Sequence, residues 1–298
     1  MQIIPPVDVS DFNLTSSNIP ENDAQVWANN ATYGAGETVL YLHNVYESLE
    51  AANTGNLPDQ SSDKWLLLGA SNRYKAFDRR ISDPAVKADE ISYTISHGGL
   101  AINSVSAFGL EAASITVEIN DPIDGLVYSN TVDLIDNSAV IDWFTYFFAP
   151  IGLKTLEVVL TDLPPYGTAS TTVTVSNPGL DAKVGQIALG QAIELGIVLY
   201  GTSISIEDYS RKERDQFGNA VIVERGFAQT VDFDLKVPTL GARRVQNLLA
   251  KYRTTPVVWN GTKDASYGVN VYGYYRRFDI NLSAPEVSDA TIEVEGLI

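Results

Sequence analysis

The chain has 298 residues and carries 37 Asp and Glu against 20 Lys and Arg, a formal net charge of −17. That charge repels nucleic acid and anionic lipid, so a groove that tracks phosphates is not expected. Cysteine is absent, which removes disulfides, thiolate nucleophiles and every Cys-containing metal site, and two histidines, His43 and His97, are too few for a three-His zinc site. The opening MQIIPPVDVSD has neither a basic n-region nor an apolar run, so no secretory signal is expected there. No run of about 18 apolar residues exists, so no membrane-spanning segment or membrane insertion is expected either.

Residues 1–23 read as an N-terminal arm. The acidity is uneven: residues 1–63 hold nine acids and no Lys or Arg, whereas 64–84 hold five bases against two acids. Residues 24–69 read as a small compact unit, and 70–89 read as a linker. From Ile91 the pattern becomes short strands: ISYTI (91–95), SITVEIN (114–120), GLVYSNTVDLI (125–135), AVIDWFTYFF (139–148), LKTLEVVLTD (153–162), STTVTVS (170–176) and KVGQIALG (183–190). Each is rich in Val, Ile, Thr and aromatics, and several alternate apolar with polar residues, as a half-buried strand must. Asp121-Pro122, Ala149-Pro150, Pro164-Pro165 and Asn177-Pro178-Gly179 separate them as turns. Regular strand spacing without helical periods predicts an antiparallel β-sandwich, jelly-roll-like, over 90–200.

The last third, 201–298, carries thirteen acids and twelve bases, so nearly all the acidity lies ahead of it. Thr239 is placed to cap a helix in which Val245, Leu248, Leu249 and Tyr252 share one face, and Pro256 ends it. Strands follow at 257–259, 267–282 and 290–296. The fold class expected is therefore mainly β: a small three-stranded N-terminal module, a central sandwich, and a C-terminal α+β assembly domain with one helix.

Residues 24–69 carry Trp27, Tyr33, Gly36-Glu37, Val39, Tyr46, Gly55, Pro58 and Trp65 in order. This set resembles the compact carbohydrate-binding module appended to bacterial chitinases. In that family an exposed aromatic pair just after the central Tyr stacks on sugar, but here the stretch is Ser48-Leu49-Glu50-Ala51, which offers no flat π-face. Trp27, Tyr33, Tyr46 and Trp65 thus read first as core, with glycan binding the other possibility. The segment WLLLGASNRYKAFDRRISDP (65–84) is similar to a motif of tail-tip proteins of long-tailed bacteriophages. DYSRKERDQFGNAVIVERGFAQTVDFDLKV (208–237), the helix after it, PVVWNG (256–261) and IEVEGLI (292–298) resemble the ring-forming part of a distal tail or baseplate protein.

The resemblance implies a structural virion protein, located in the phage tail and made in the host cytoplasm. It would form a homo-oligomeric ring that joins tail tube to hub or fibres. Within the C-terminal third, Tyr272, Tyr274 and Tyr275 would supply contact area, and Arg276, Arg277, Arg211, Lys212, Arg214 and Arg225 would pair with acids across a seam. An ordinary strand with solvated charges at its ends accounts for the same residues equally well. No nucleophile elbow, phosphate loop or calcium-loop spacing is present; Asp121 with Asp124 and Asp133 with Asp136 fall in or near turns. No catalytic residue, metal or cofactor is expected, and the chain reads as a non-enzyme. The alternative function is a carbohydrate-binding adhesin that recognises a host surface glycan.

Overall fold

The computed structural model describes residues 1–135, 142–148, 156–214, 217–262 and 269–298. It is mainly β, with antiparallel sheets throughout the body of the molecule.

The small module has its own core of Tyr33, Val39, Tyr46 and Trp65, with Trp27, Ala31 and Tyr41 packed against it. Three antiparallel strands, Thr38–Tyr41, Asn44–Ser48 and Trp65–Ala70, form its sheet, and Gln25–Val26 adds a short parallel strand at one edge. Tyr33 meets Trp65 edge-on at 5.4 Å, and Trp65 Nε1 donates to Asn56 O at 3.0 Å. In so short a unit the aromatics supply most of the buried area.

The sandwich pairs a five-stranded sheet with a three-stranded one. The larger runs Gly125–Asp133, Ser114–Asp121, Ser170–Val184, Ala85–Ser96, Leu14–Ser17, and the smaller runs Glu157–Leu160, Ser104–Phe108, Gln186–Gly190. Ile115, Val117 and Ile119 point inward from the second strand while Thr116 and Glu118 point out, as the alternation requires. The small sheet is buried on both sides. Val105, Ala107, Ile187 and Leu189 face the sandwich core, whereas Phe108 and Ala188 join Ile4, Val258 and Tyr272 in a second apolar cluster.

That second cluster belongs to the third unit, an eight-stranded sheet. Its order is Ile193–Glu194, Gln2–Ile4, Val257–Asn260, Asn270–Asn281, Val287–Gly296, Phe227–Pro238, Ile197–Val198, and Ser203–Asp208 also pairs with Phe227–Pro238. The helix Ala242–Lys251 covers one face, burying Val245 and Leu249, with Leu248 and Tyr252 packed beside them. Thr239 is not its cap. It lies in a preceding 3-10 turn and donates to Ala284 O, while Gly241 occupies the cap position.

Several boundaries differ from the sequence reading. Residues 1–23 are not a free arm: Gln2–Ile4 is an interior strand of the eight-stranded sheet, and Leu14–Ser17 edges the sandwich. The chain crosses between these two places over Gly190, where a Cβ would lie 2.2 Å from Pro5 O, so only glycine fits. Residues 70–89 are not a free linker either. Asn72 Nδ2 donates to Val86 O at 2.7 Å and its Oδ1 accepts from Val86 N at 2.9 Å, so one side chain imitates a strand residue. Tyr74 and Ala76 are buried, and Phe77 packs edge-on against Tyr93. The sandwich strand begins at Ala85, and Ile193–Glu194 and Ile197–Val198 already belong to the eight-stranded sheet. The apolar run 139–148, read as a strand, contains the helix Trp143–Phe148; residues 139–141 lie outside the described residues, as do 153–155.

Candidate functional site

An exposed hairpin extends one edge of the eight-stranded sheet. Ser203–Asp208 pairs with the first half of Phe227–Pro238, from Ser203↔Asp232 to Asp208↔Phe227, and the two chains continue outward as Arg211–Arg214 with Ala220–Val223. Every residue of the three strands Ser203–Asp208, Arg211–Arg214 and Ala220–Val223 is exposed. Among them are Ile204, Ile206, Val221, Ile222 and Val223, with Phe217 at the tip. A two-stranded ribbon that buries neither face has no core of its own and exposes β-branched residues that favour pairing.

Local polar contacts hold the ribbon together. Ser205 and Thr230 hydroxyls meet at 2.7 Å, and Lys212 Nζ lies 2.5 Å from Asp208 Oδ2. Its root is pinned to the outer face of the large sheet through Glu295. Arg276 Nε donates to Glu295 Oε2 at 2.6 Å, Tyr274 OH donates to the same oxygen at 2.5 Å, and Tyr209 OH donates to Oε1 at 3.1 Å. Arg276 also reaches Glu207 at 3.3 Å and Glu293 at 3.7 Å. Burial opposes the Glu295 charge, but the three donors outweigh it and hold the carboxyl below its usual range.

The residues proposed for assembly therefore separate into groups. Tyr272 is fully buried and stacks on Phe108 between sandwich and sheet, which removes it from any surface. Tyr275 turns toward the helix, donating to Leu249 O at 3.1 Å and meeting Trp259 edge-on. The register shift between Tyr275 and Arg277 sets the facing of the residues around it. Tyr274 and Arg276 lie together on the outer face in the Glu295 network. Arg277 pairs with Asp279 at 2.5 Å on its own strand. Arg211 is on the hairpin, paired with Glu213, and Arg225 is at its root, where its backbone N donates to Ser210 Oγ. The exposed Val221, Ile222 and Val223 were not singled out from the sequence. The signal available was the run AVIV directly after Phe217-Gly218-Asn219, a turn between two strand-forming segments.

Trp27, Tyr33, Tyr46 and Trp65 of the small module have core roles. Tyr33, Tyr46 and Trp65 are buried, and half-buried Trp27 meets Tyr41 edge-on at 5.4 Å. Ser48 is buried and Leu49 exposed in the stretch where chitinase modules carry their sugar-stacking pair.

The titratable candidates resolve locally. His97 is buried and neutral: Nδ1 donates to Tyr166 O at 2.5 Å, Nε2 accepts from Thr171 Oγ1 at 2.7 Å, and burial lowers its pKa. Asp121 Oδ1 accepts from the backbone N–H groups of Ile123 and Asp124, and Thr168 donates to Oδ2, which makes it a turn-forming residue. Asp136 lies outside the described residues. Among the described residues no group of three or more His, Asp or Glu is placed to hold a metal ion, and no helix is long and apolar enough to cross a membrane.

No protein-family model matches the chain, and no curated protein is significantly similar to it in sequence.

Proposed function

We propose that the chain is a structural subunit of a bacteriophage tail tip or baseplate. Identical copies close into a ring through the hairpin, and the ring links tail tube to hub or fibres. The observation that carries this reading is the ribbon formed by Ser203–Asp208, Arg211–Arg214 and Ala220–Val223, exposed on both faces with Ile204, Ile206, Val221, Ile222 and Val223 uncovered. Such a ribbon is costly to leave in water, and its apolar residues suit pairing with another copy in a heterologous interface that closes by rotation. The near-equal acids and bases of 201–298, beside the acidic remainder, relieve self-repulsion where copies would meet.

The test is the mass of the purified chain in solution, by light scattering and negative-stain microscopy. The intact protein is expected to form rings. Replacing residues 209–226 by a short Gly-Ser turn is expected to leave a folded monomer. A monomeric intact chain at tens of micromolar, or rings that survive the replacement, would overturn the reading.

One observation favours glycan binding as a second reading. Trp143, Phe144 and Phe147 of the short helix are exposed, and the Trp143 and Phe147 rings lie 21° from parallel at 6.3 Å. Exposed, nearly parallel rings suit the apolar faces of neutral sugars. Binding on a glycan array that disappears with Trp143→Ala would move this reading to first place.

A further inference from the structure

Three separate segments converge on His43. The residue sits at the tip of the Thr38–Tyr41/Asn44–Ser48 hairpin of the small module, where Leu42 and His43 both take positive φ, +47° and +63°. Its Nε2 lies 2.8 Å from Asp11 Oδ2 and its Nδ1 2.9 Å from Glu21 Oε1, both acids coming from the segment ahead of the module. The joint behind the module supplies the rest. Ser71 N donates to His43 O at 2.7 Å, Ser71 Oγ donates to Glu21 Oε1 at 2.7 Å, Tyr74 OH donates to Asp11 Oδ1 at 2.5 Å, and the Tyr74 ring lies 4.1 Å from the imidazole.

We infer that His43 is a protonation-dependent latch that fixes the small module against the rest of the molecule. Carboxylates carry no proton near neutrality, so a ring flanked by one on each nitrogen is matched only when both nitrogens donate, as the imidazolium. Loss of one proton turns a donor into a lone pair facing a carboxylate oxygen. The latch matters because the module's core cluster is separate from that of the sandwich; near the turn its attachment is largely polar, through His43, Ser71, Asn72 and the Arg80–Leu68 contact. The charged groups that face the ring are Asp11 and Glu21, with Tyr74 beside it and Arg73 acting on Asp11 from the joint. Partial burial opposes protonation, but the two carboxylates outweigh it and raise the His43 pKa above its ordinary value. A raised base contributes fully below the ordinary value of about 6.5 and is lost as pH rises through the folded value, so the latch holds below the His43 midpoint and releases above it. The inference does not depend on the assembly reading.

The chain has no cysteine, so spin labels are introduced cleanly at the exposed Leu49→Cys of the module and Ile123→Cys of the sandwich. Two quantities are followed against pH in the full chain: the distance distribution between the labels, and the His43 imidazole titration by NMR. The distribution is expected to be narrow below the His43 midpoint and broad above it, with circular dichroism unchanged. Asp11→Asn is expected to lower both midpoints together by roughly half to one pH unit. His43→Phe, which keeps a ring against Tyr74, is expected to be broad at every pH. A distribution that is unchanged across the His43 midpoint, or a broadening that does not follow the Asp11→Asn shift, would overturn the inference.

Discussion

Burial pushes Glu157 up to about 7 against the hydrogen bond from Asn270, while Glu295, also sheltered, is held low by Arg276, Tyr274 and Tyr209. The two glutamates thus act on stability with opposite signs. The native state keeps a proton on Glu157 that the unfolded chain loses above about 4.3, so its contribution falls as pH rises from about 4.3 to about 7. Glu157→Gln is expected to stabilise the protein above pH 7 by about 2–3 kcal/mol and to have little effect below pH 4. Glu295 binds its proton less readily in the native state, so its contribution is present above about 4.3 and is lost as pH falls further. Glu295→Gln is expected to lower the melting temperature at neutral pH and to leave it nearly unchanged near pH 2. Melting curves of both variants between pH 2 and 9 check the two slopes. The Arg276 guanidinium is shared among Glu295, Glu207 and Glu293 of its own chain.

At the level of elements, the small module tests how much a single aromatic supports. Trp65 is buried with its Nε1 satisfied, whereas Trp27 is half-buried at the module's rim. Trp65→Ala is expected to cost about 3–5 kcal/mol, enough to unfold the module, and Trp27→Ala clearly less. Calorimetry is expected to show a lost low-temperature transition for Trp65→Ala while the transition of the body persists. The elements that were legible in the sequence are those whose period is local. The alternation of SITVEIN gave a strand, and Val245, Leu248, Leu249 and Tyr252 gave a helix face, because each pattern reports the side a residue buries. Other elements depend on distant partners. Gln2–Ile4 is three residues long and is a strand only because Val257–Asn260 and Ile193–Glu194 flank it. The run 139–148 is apolar but for Asp142 and Thr145 and carries no clear period, so its strand reading had only composition behind it. His43 falls between the strand residues of YLHNVY, but the carboxylates that grip it, Asp11 and Glu21, come from another segment and leave no trace in local spacing.

Across the whole molecule, two adjacent residues tie the units together. Ile3 points into the core beneath the helix, and Ile4 points into the cluster shared with Phe108 and Ala188 of the sandwich. Both are fully buried. Ile3→Ala and Ile4→Ala are each expected to cost about 2–5 kcal/mol. Ile3→Ala is expected to weaken the eight-stranded sheet alone, and Ile4→Ala to loosen the sheet from the sandwich as well. Hydrogen exchange read separately in Val257–Asn260 and Ser104–Phe108 distinguishes the two. The placement of Gln2–Ile4 also sets an order of events in synthesis. Gln2 pairs with Asn260, so this segment must wait for one made much later. At about 5–20 residues per second the wait is on the order of ten to fifty seconds, during which Ile3 and Ile4 have at most Ile193–Glu194 to pair with. The sandwich strands are complete by Gly190 and can collapse in that interval, while the large sheet closes only after its neighbours have left the ribosome. Gln2–Ile4 thus completes its pairing only once Val257–Asn260 has been made, and until then the nascent protein carries an apolar strand beside an unfinished edge.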